Sequence, residues 1–235
     1  MKSDKLKLFF LGFILMFIGC NTDQQVITNT NNPKLVTYKY LALGDSYTIG
    51  ESVCIDCRFP EQLKTSLQNS FQNDAFSLQT IARTGWTTTN LITAVNSLQP
   101  RNDFDLVTLL IGVNNQYQNR PFALYEQEFP ELVNKAISFA KGDKSNLVVV
   151  SIPDYAFTPF GRGAANISAA LLQYNTFAKN YCDNNGIAFV NITDINQQGL
   201  IETNLVATDG LHPSQIAYAR FVERILPKAI VVLRD

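Results

Sequence analysis

A chain of 235 residues with 46% hydrophobic and 17% charged residues is long and apolar enough to bury the core of one globular domain, with or without a tail. Its formal net charge of -1, with no basic stripe beyond the N-terminus, offers no surface suited to a phosphate backbone. Composition and charge therefore exclude nucleic acid as an expected partner.

The first residues have the pattern of an export signal. Three lysines precede the apolar stretch 8–19, which is too short to span a bilayer as a helix and has the length of a signal-peptide core. The stretch ends in Gly19-Cys20, which resembles the bacterial lipobox, whose cysteine is lipidated after cleavage. Ordinary secretion with an incidental Cys20 is the alternative. We expect residues 1–19 to be a lipoprotein signal peptide and Cys20 to anchor the protein to a membrane of the bacterial cell envelope, facing the periplasm or the exterior.

A polar segment separates this signal from the rest of the chain. Residues 20–35 are rich in Asn and Thr, which indicates a flexible tether long enough to hold a domain just off a membrane. We assign residues 36–235 to a single domain.

Short β-rich or apolar runs alternate with helix-length segments throughout that domain. The runs are 36–43, 76–82, 106–111, 147–152 and 187–192. The helical segments are about 60–73, 87–99, 121–141, 167–184 and 214–230. The third and fourth runs are almost continuously apolar, which is typical of central parallel strands covered on both faces. The alternation predicts βα units in a three-layer α/β fold, with a site at the carboxyl ends of the strands.

The first predicted strand runs directly into Gly44-Asp45-Ser46. A serine at a strand-to-helix turn exposes its hydroxyl above the sheet, and a glycine before it permits the tight turn. Gly-Asp-Ser is also a common turn sequence, so Ser46 alone is a weak candidate for a nucleophile.

The histidine count strengthens that candidate. The chain has one histidine, His212, in Asp209-Gly210-Leu211-His212-Pro213 just before the last predicted helix. A serine nucleophile needs a base with a near-neutral pKa, and the base needs an acceptor that fixes its tautomer. Asp209 can supply that acceptor from the same loop. A turn or capping aspartate beside a surface histidine is the alternative.

Negative charge on the reacting oxygen needs hydrogen-bond donors at the same edge of the sheet. The side chain of Asn114 follows the third strand, and Gly85 follows the second, where a glycine allows the backbone to approach closely. In isolation both positions are also consistent with ordinary turns.

Together these blocks resemble the SGNH/GDSL hydrolase family, over residues 38–230. Gly44-Asp45-Ser46 matches the first block, Gly85 the second, Gly112-Val113-Asn114 the third, and the Asp209–Pro213 segment the fifth. The resemblance implies a flavodoxin-like α/β/α sandwich with a five-stranded parallel sheet. One residue departs from the family pattern, since Asn115 stands where the third block often has Asp.

The resemblance also implies roles for these residues. Ser46 would attack an ester carbonyl, His212 would accept its proton, and Asp209 would orient His212. The backbone N–H groups of Ser46 and Gly85, with the Asn114 side chain, would form the oxyanion hole. The absence of Gly-x-Ser-x-Gly argues against the α/β-hydrolase fold, whose nucleophile elbow uses that spacing.

Cys54 and Cys57 lie shortly after the candidate nucleophile. Cys-x-x-Cys can be a redox motif, usually at a helix N-terminus after a strand. In an exported protein, a local disulfide that stiffens a loop is the favoured interpretation, and breaking it is expected to cost stability more than chemistry. Cys182, inside a helical pattern, is expected to be a small buried hydrophobic residue.

The loop 153–162 carries several aromatic residues at the expected active-site edge, namely Tyr155, Phe157 and Phe160. They could contact an acyl chain or a lipid, or they could be packing residues, and the sequence favours neither.

The sequence thus predicts an exported, lipid-anchored serine esterase, monomeric and without a metal or organic cofactor, that acts on a small-molecule or lipid ester. A lysophospholipase-like or small-acyl esterase is the first expectation. A carbohydrate deacetylase acting on polysaccharide is the alternative, and a non-catalytic domain that binds glycan or lipid is a third possibility.

Overall fold

The computed structural model describes residues 35–234. The predicted signal peptide, Cys20 and all but the end of the tether lie outside the described residues. No helix within the described range is both long and apolar enough to cross a bilayer.

The described chain forms a five-stranded sheet in the order β2-β1-β3-β4-β5, and every strand pair is parallel. The strands are β1 Thr37–Gly44, β2 Ala75–Ala82, β3 Leu106–Leu110, β4 Leu147–Val150 and β5 Ala188–Val190. β3 and β4 are buried along their whole length, as their apolar sequences predict. The predicted five-stranded parallel α/β fold is confirmed.

Helices connect the strands and cover the sheet. They are α1 Ser46–Ile49, α2 Phe59–Ser70, α3 Thr88–Leu98, α4 Val113–Tyr117, α5 Phe122–Phe139, α6 Ala165–Asn185, α7 Thr193–Asn196 and α8 Gln215–Arg234. Helix α2 packs against α8, while α5 packs against both α3 and α6, which gives a layer of helices on each side of the sheet. The five long helices match the predicted segments to within a few residues.

The sequence missed the three short helices α1, α4 and α7. A helix of four or five residues is too short to show a hydrophobic period, so these turns have no signal of that kind. Two of them follow β1 and β3 directly, and each carries a predicted site residue at or near its first position.

Gly44 sets the angle at which the chain leaves β1. A Cβ atom at this position would lie 2.1 Å from Thr48 Oγ1 and 2.4 Å from the carbonyl oxygen of Leu110. Any other residue would therefore push α1 away from the end of β3. The glycine keeps Ser46 close to the neighbouring strand's carboxyl end, where the remaining site residues lie.

Candidate active site

The nucleophile turn places Ser46 as the first residue of α1, with the residue 4% exposed. Asp45 caps this turn, because its Oδ1 accepts a hydrogen bond from the Tyr47 N–H at 3.0 Å. Asp45 is completely buried, and its Oδ2 has no hydrogen-bond partner among residues 35–234. Burial raises the pKa of this carboxyl to about 7, despite the backbone hydrogen bonds. Asp45 thus shapes the turn and is poorly suited to hold a stable negative charge.

The histidine loop has the geometry of an acid–base pair. His212 Nδ1 lies 2.6 Å from Asp209 Oδ2, and Asp209 Oδ1 accepts the backbone N–H groups of Leu211 at 2.9 Å and His212 at 3.0 Å. An ionised Asp209 accepts a hydrogen bond from Nδ1–H, so the proton stays on Nδ1 and the Nε2 lone pair is free to act as a base.

The carboxyl of Asp209 stays ionised at neutral pH. Partial burial raises its pKa, but the hydrogen bonds from His212, from the two backbone groups and from Ser52 outweigh burial and lower the pKa to about 2. The predicted partner of His212 therefore carries the negative charge that stabilises an imidazolium.

One pocket at the carboxyl edge of the sheet brings the predicted residues together. Its volume is about 170 Å³, and its lining consists of Ser46, Tyr47, Thr84, Gly85, Val113, Asn114, Tyr117, Tyr155, Leu211 and His212. Five separate segments of the chain contribute to it. No hydrogen bond joins Ser46 to His212 among the described side chains, and such bonds are often long before substrate binds.

The backbone around Gly85, residues 84–86, which we name the oxyanion segment, is held by side-chain amides. Asn114 Nδ2 donates to the Trp86 carbonyl at 3.0 Å, and Gln118 Nε2 donates to the Gly85 carbonyl at 2.8 Å. Gly85 has φ +82°, while a Cβ atom there would meet nothing within 4 Å, so backbone conformation alone requires the glycine. Since an amide group has two N–H donors, Asn114 keeps one for the pocket.

Asn115, the departure from the family pattern, supports the same segment from below. It is completely buried, its Oδ1 accepts the Thr88 N–H at 2.9 Å, and its Nδ2 donates to Thr88 Oγ1 at 2.6 Å. The buried carboxylate of Glu128 accepts the hydroxyl groups of Thr88 and Thr89. This network fixes the start of α3 directly after the oxyanion segment. No local pattern around Glu128 indicated this role.

Cys54 and Cys57 form a disulfide, which is the interpretation that the sequence favoured for this pair. The sequence did not predict two contacts of the same loop. In the first, Ser52 Oγ donates to Asp209 Oδ2 at 2.7 Å. The preceding residue, Glu51, accepts the hydroxyl of Thr84. Neither residue belongs to a motif, so no sequence signal could have identified them. Cys182 is completely buried, and burial raises the pKa of its thiol to about 12.

The aromatic loop divides between the two roles left open by the sequence. Tyr155 is buried, lines the pocket and donates its hydroxyl to Gln116 Oε1 at 2.7 Å. Phe160 is 49% exposed and Tyr117, from α4, is 53% exposed; their ring centroids lie 6.1 Å apart. Tyr155 is a packing residue, whereas Phe160 and Tyr117 leave an apolar surface open beside the pocket.

The described residues show no group of three or more His, Cys, Asp or Glu side chains arranged to hold a metal ion.

One pocket at the carboxyl edge of the parallel sheet contains a serine, a histidine and amide groups. These are the groups that a serine-dependent hydrolase requires. Comparison with known families agrees, since a sequence model of the GDSL-like lipase/acylhydrolase family matches residues 42–220. The chain belongs to this family, and it is a hydrolase of carboxylic esters. No curated protein sequence matches it.

Solved structures show the same fold. A lipolytic G-D-S-L family protein from Veillonella parvula has a TM-score of 0.63 at 16% identity, with 84% of this chain and 98% of that chain covered. Axe2, an acetylxylan esterase from Geobacillus stearothermophilus, has a TM-score of 0.63 at 18% identity, with 83% and 95% covered. A lipase/acylhydrolase from Enterococcus faecalis has a TM-score of 0.64 at 15% identity, with 81% and 94% covered. At these identities the likeness concerns the fold.

Proposed function

We propose that the chain hydrolyses esters of short acyl groups through an acyl-enzyme formed on Ser46, with His212 as the general base and Asp209 as its orienting carboxylate. The observation that supports this proposal is the convergence of Ser46, Gly85, Asn114 and His212 on one pocket, with Asp209 behind His212 at 2.6 Å.

In the first half-reaction, His212 Nε2 takes the proton of the Ser46 hydroxyl as Oγ attacks the ester carbonyl carbon. The carbonyl oxygen becomes negative and accepts hydrogen bonds from the N–H groups of Ser46 and Gly85 and from the Asn114 amide. His212 then gives its proton to the departing alkoxide, which leaves as the alcohol. In the second half-reaction His212 takes a proton from water, which attacks the acyl-enzyme. The carboxylic acid is released, and the Ser46 hydroxyl is regenerated.

The size of the pocket supports a short acyl group. At about 170 Å³ it is well below the roughly 300–1,000 Å³ that is typical of sites for drug-sized ligands. A long acyl chain of the kind found in lysophospholipids would have to lie outside, across the exposed rings of Tyr117 and Phe160. A small-acyl esterase therefore fits better than a lysophospholipase.

A carbohydrate deacetylase is the second candidate. Acetyl is the smallest common acyl group, so the pocket size favours this activity as well, and Axe2 of similar fold is an acetylxylan esterase. The alcohol part of the substrate lies outside the acyl pocket, so pocket size does not separate the two candidates.

The test is a panel of p-nitrophenyl esters from acetyl to palmitoyl, with acetylated xylan and lysophosphatidylcholine alongside, on the wild type and on Ser46→Ala. We expect kcat/KM to be greatest for the shortest esters, and Ser46→Ala to fall to background and lose labelling by a fluorophosphonate. A maximum at palmitoyl with turnover of lysophosphatidylcholine would instead support the lipid substrate. A folded wild type without turnover or labelling would support the non-catalytic binding domain.

Anchoring at Cys20 is part of the same proposal. The lysines and apolar stretch before Cys20 support export, and the small residue before it supports lipidation, which would hold the esterase at a membrane of the cell envelope.

A further inference from the structure

The segment between α1 and α2 forms a small closed loop, residues 50–57, which we name the disulfide loop. The Cys54–Cys57 bond closes its second half, and a hydrogen bond from the Val53 N–H to the Gly50 carbonyl at 3.3 Å closes its first. Ser52 lies inside the first closure, two residues before Cys54, with φ +64°. A residue other than glycine is uncommon in this left-handed region, so the loop has to hold Ser52 there.

Consecutive residues of the disulfide loop bind the two halves of the active site. Ser52 Oγ donates to Asp209 Oδ2, the same oxygen that lies 2.6 Å from His212 Nδ1. Glu51 accepts the hydroxyl of Thr84, which lines the pocket and directly precedes Gly85. One exposed loop thus joins the acid–base loop to the oxyanion segment.

We propose that the disulfide loop positions the active site through Ser52 and Glu51, and that reduction of the Cys54–Cys57 disulfide slows turnover. The inference rests on the proposed roles of Asp209 and Gly85. Ser52 and Glu51 are positioning residues, because neither lines the pocket.

The disulfide matters because each of the two hydrogen bonds, Ser52 to Asp209 and Thr84 to Glu51, contributes little free energy on its own. Both loop residues are accessible to water, so each hydrogen bond competes with hydration. Ser52 also gains little from its left-handed conformation and would leave it in a freer loop. Closing the loop limits the conformations that compete with the bound one. Opening it should therefore weaken both contacts together.

The redox step requires a reductant. A dithiol transfers two electrons and two protons to the Cys54–Cys57 bond, which gives two thiols on this chain and one disulfide on the reductant. The remaining cysteine of the described residues, Cys182, is buried and unpaired.

Two substitutions at Ser52 separate the hydrogen bond from the backbone conformation. Ser52→Gly removes the hydroxyl and relieves the φ, so it should fold at least as stably as the wild type. Ser52→Asn tolerates the same φ and restores an N–H donor towards Asp209. We expect kcat for a short ester to fall about 2- to 10-fold in Ser52→Gly with KM unchanged, which is the size of one lost hydrogen bond, and to recover partly in Ser52→Asn. An unchanged kcat in Ser52→Gly would overturn the role of Ser52.

Glu51 offers the same comparison at the other half of the site. Glu51→Gln keeps an acceptor for Thr84, whereas Glu51→Ala removes it. We expect Glu51→Ala to lower kcat by a similar factor and Glu51→Gln to stay near the wild type. Equal kcat values for all three proteins would overturn the role of Glu51.

The redox arm uses the Cys54→Ser/Cys57→Ser double variant, assayed well below its melting temperature. Its kcat should be lowered without a change in KM, and a dithiol should slow the wild type to the same level while leaving the variant unaffected. Combining the double variant with Ser52→Gly should cost less than the two changes separately. Full activity of the folded double variant would overturn the coupling. If the proposed function itself were wrong, the wild type would lack ester turnover, or Ser46→Ala would retain it, before any loop variant was compared.

Discussion

Replacing Asn114 tests transition-state stabilisation, because the two N–H groups of its amide have different proposed roles. One N–H is bound to the Trp86 carbonyl at 3.0 Å, and the other has no partner among the described residues. If Asn114 donates to the oxyanion, Asn114→Ala should lower kcat about 100- to 1,000-fold, or roughly 3–4 kcal/mol of barrier, with little change in KM. Losing the Trp86 contact should cost a further ~1 kcal/mol of folding stability.

Gln118 supplies a matched control. Its amide also supports the oxyanion segment, through the Gly85 carbonyl at 2.8 Å, but it does not line the pocket. Gln118→Ala should therefore loosen the segment and lower kcat only by about 10-fold or less. Asn114→Asp, which keeps the shape but replaces the donor with a negative charge, should be at least as damaging as Asn114→Ala.

The assay is steady-state kinetics on a short-chain p-nitrophenyl ester for the four proteins, with circular dichroism melting curves to exclude unfolding. If Asn114→Ala and Gln118→Ala lose the same small factor in kcat, Asn114 only supports the backbone. The oxyanion would then be bound by backbone N–H groups alone.

Three other changes test the remaining features. The pKa of Asp45 is raised from about 3.9 in an unfolded chain to about 7 in the folded protein. Folding therefore takes up a proton when the pH lies between these two values. The free energy of unfolding should decline from about pH 4 to pH 7 by up to roughly 4 kcal/mol. Asp45→Asn should flatten that decline in urea titrations across this range, and an unchanged slope would assign it to other groups. Thr88→Val removes a hydrogen-bond partner of both Glu128 and Asn115, and it should lower the free energy of unfolding in urea by about 1–3 kcal/mol. A change near zero would mean that the network is not important for stability. Cys20→Ser should release the protein from the membrane fraction without a change in kcat, whereas fractionation with membranes as before would refute lipidation.

The sequence predicted the sheet and the long helices from local signals, because the strands are short apolar or β-rich runs and the segments between them have the length of helices. Ser46, Gly85, Asn114 and His212 could be found because each follows a strand or precedes a helix in a motif, and parallel strands bring such positions to one edge. The resemblance to a family then supplied roles that spacing alone left open.

The supporting contacts could not be predicted in this way. Ser52 contacts Asp209 across 157 positions of sequence, and Glu128 reaches Thr88 across 40. Such pairs are set by how loops and helices pack, and neither position has a distinguishing local pattern. The same holds for the aromatic loop, where the exposure of Phe160 and the burial of Tyr155 depend on the neighbouring α4.

His212 is the one histidine of the sequence, and in the structure it faces Asp209 at 2.6 Å. A nitrogen-15 NMR spectrum of the imidazole region, recorded on untagged protein, therefore contains signals from a single side chain and needs no resonance assignment. Its two nitrogens report which one carries the proton, and their titration reports the basicity of that ring directly. The tautomer of the proposed catalytic base, usually inferred from its neighbours, is in this protein open to direct spectroscopic observation.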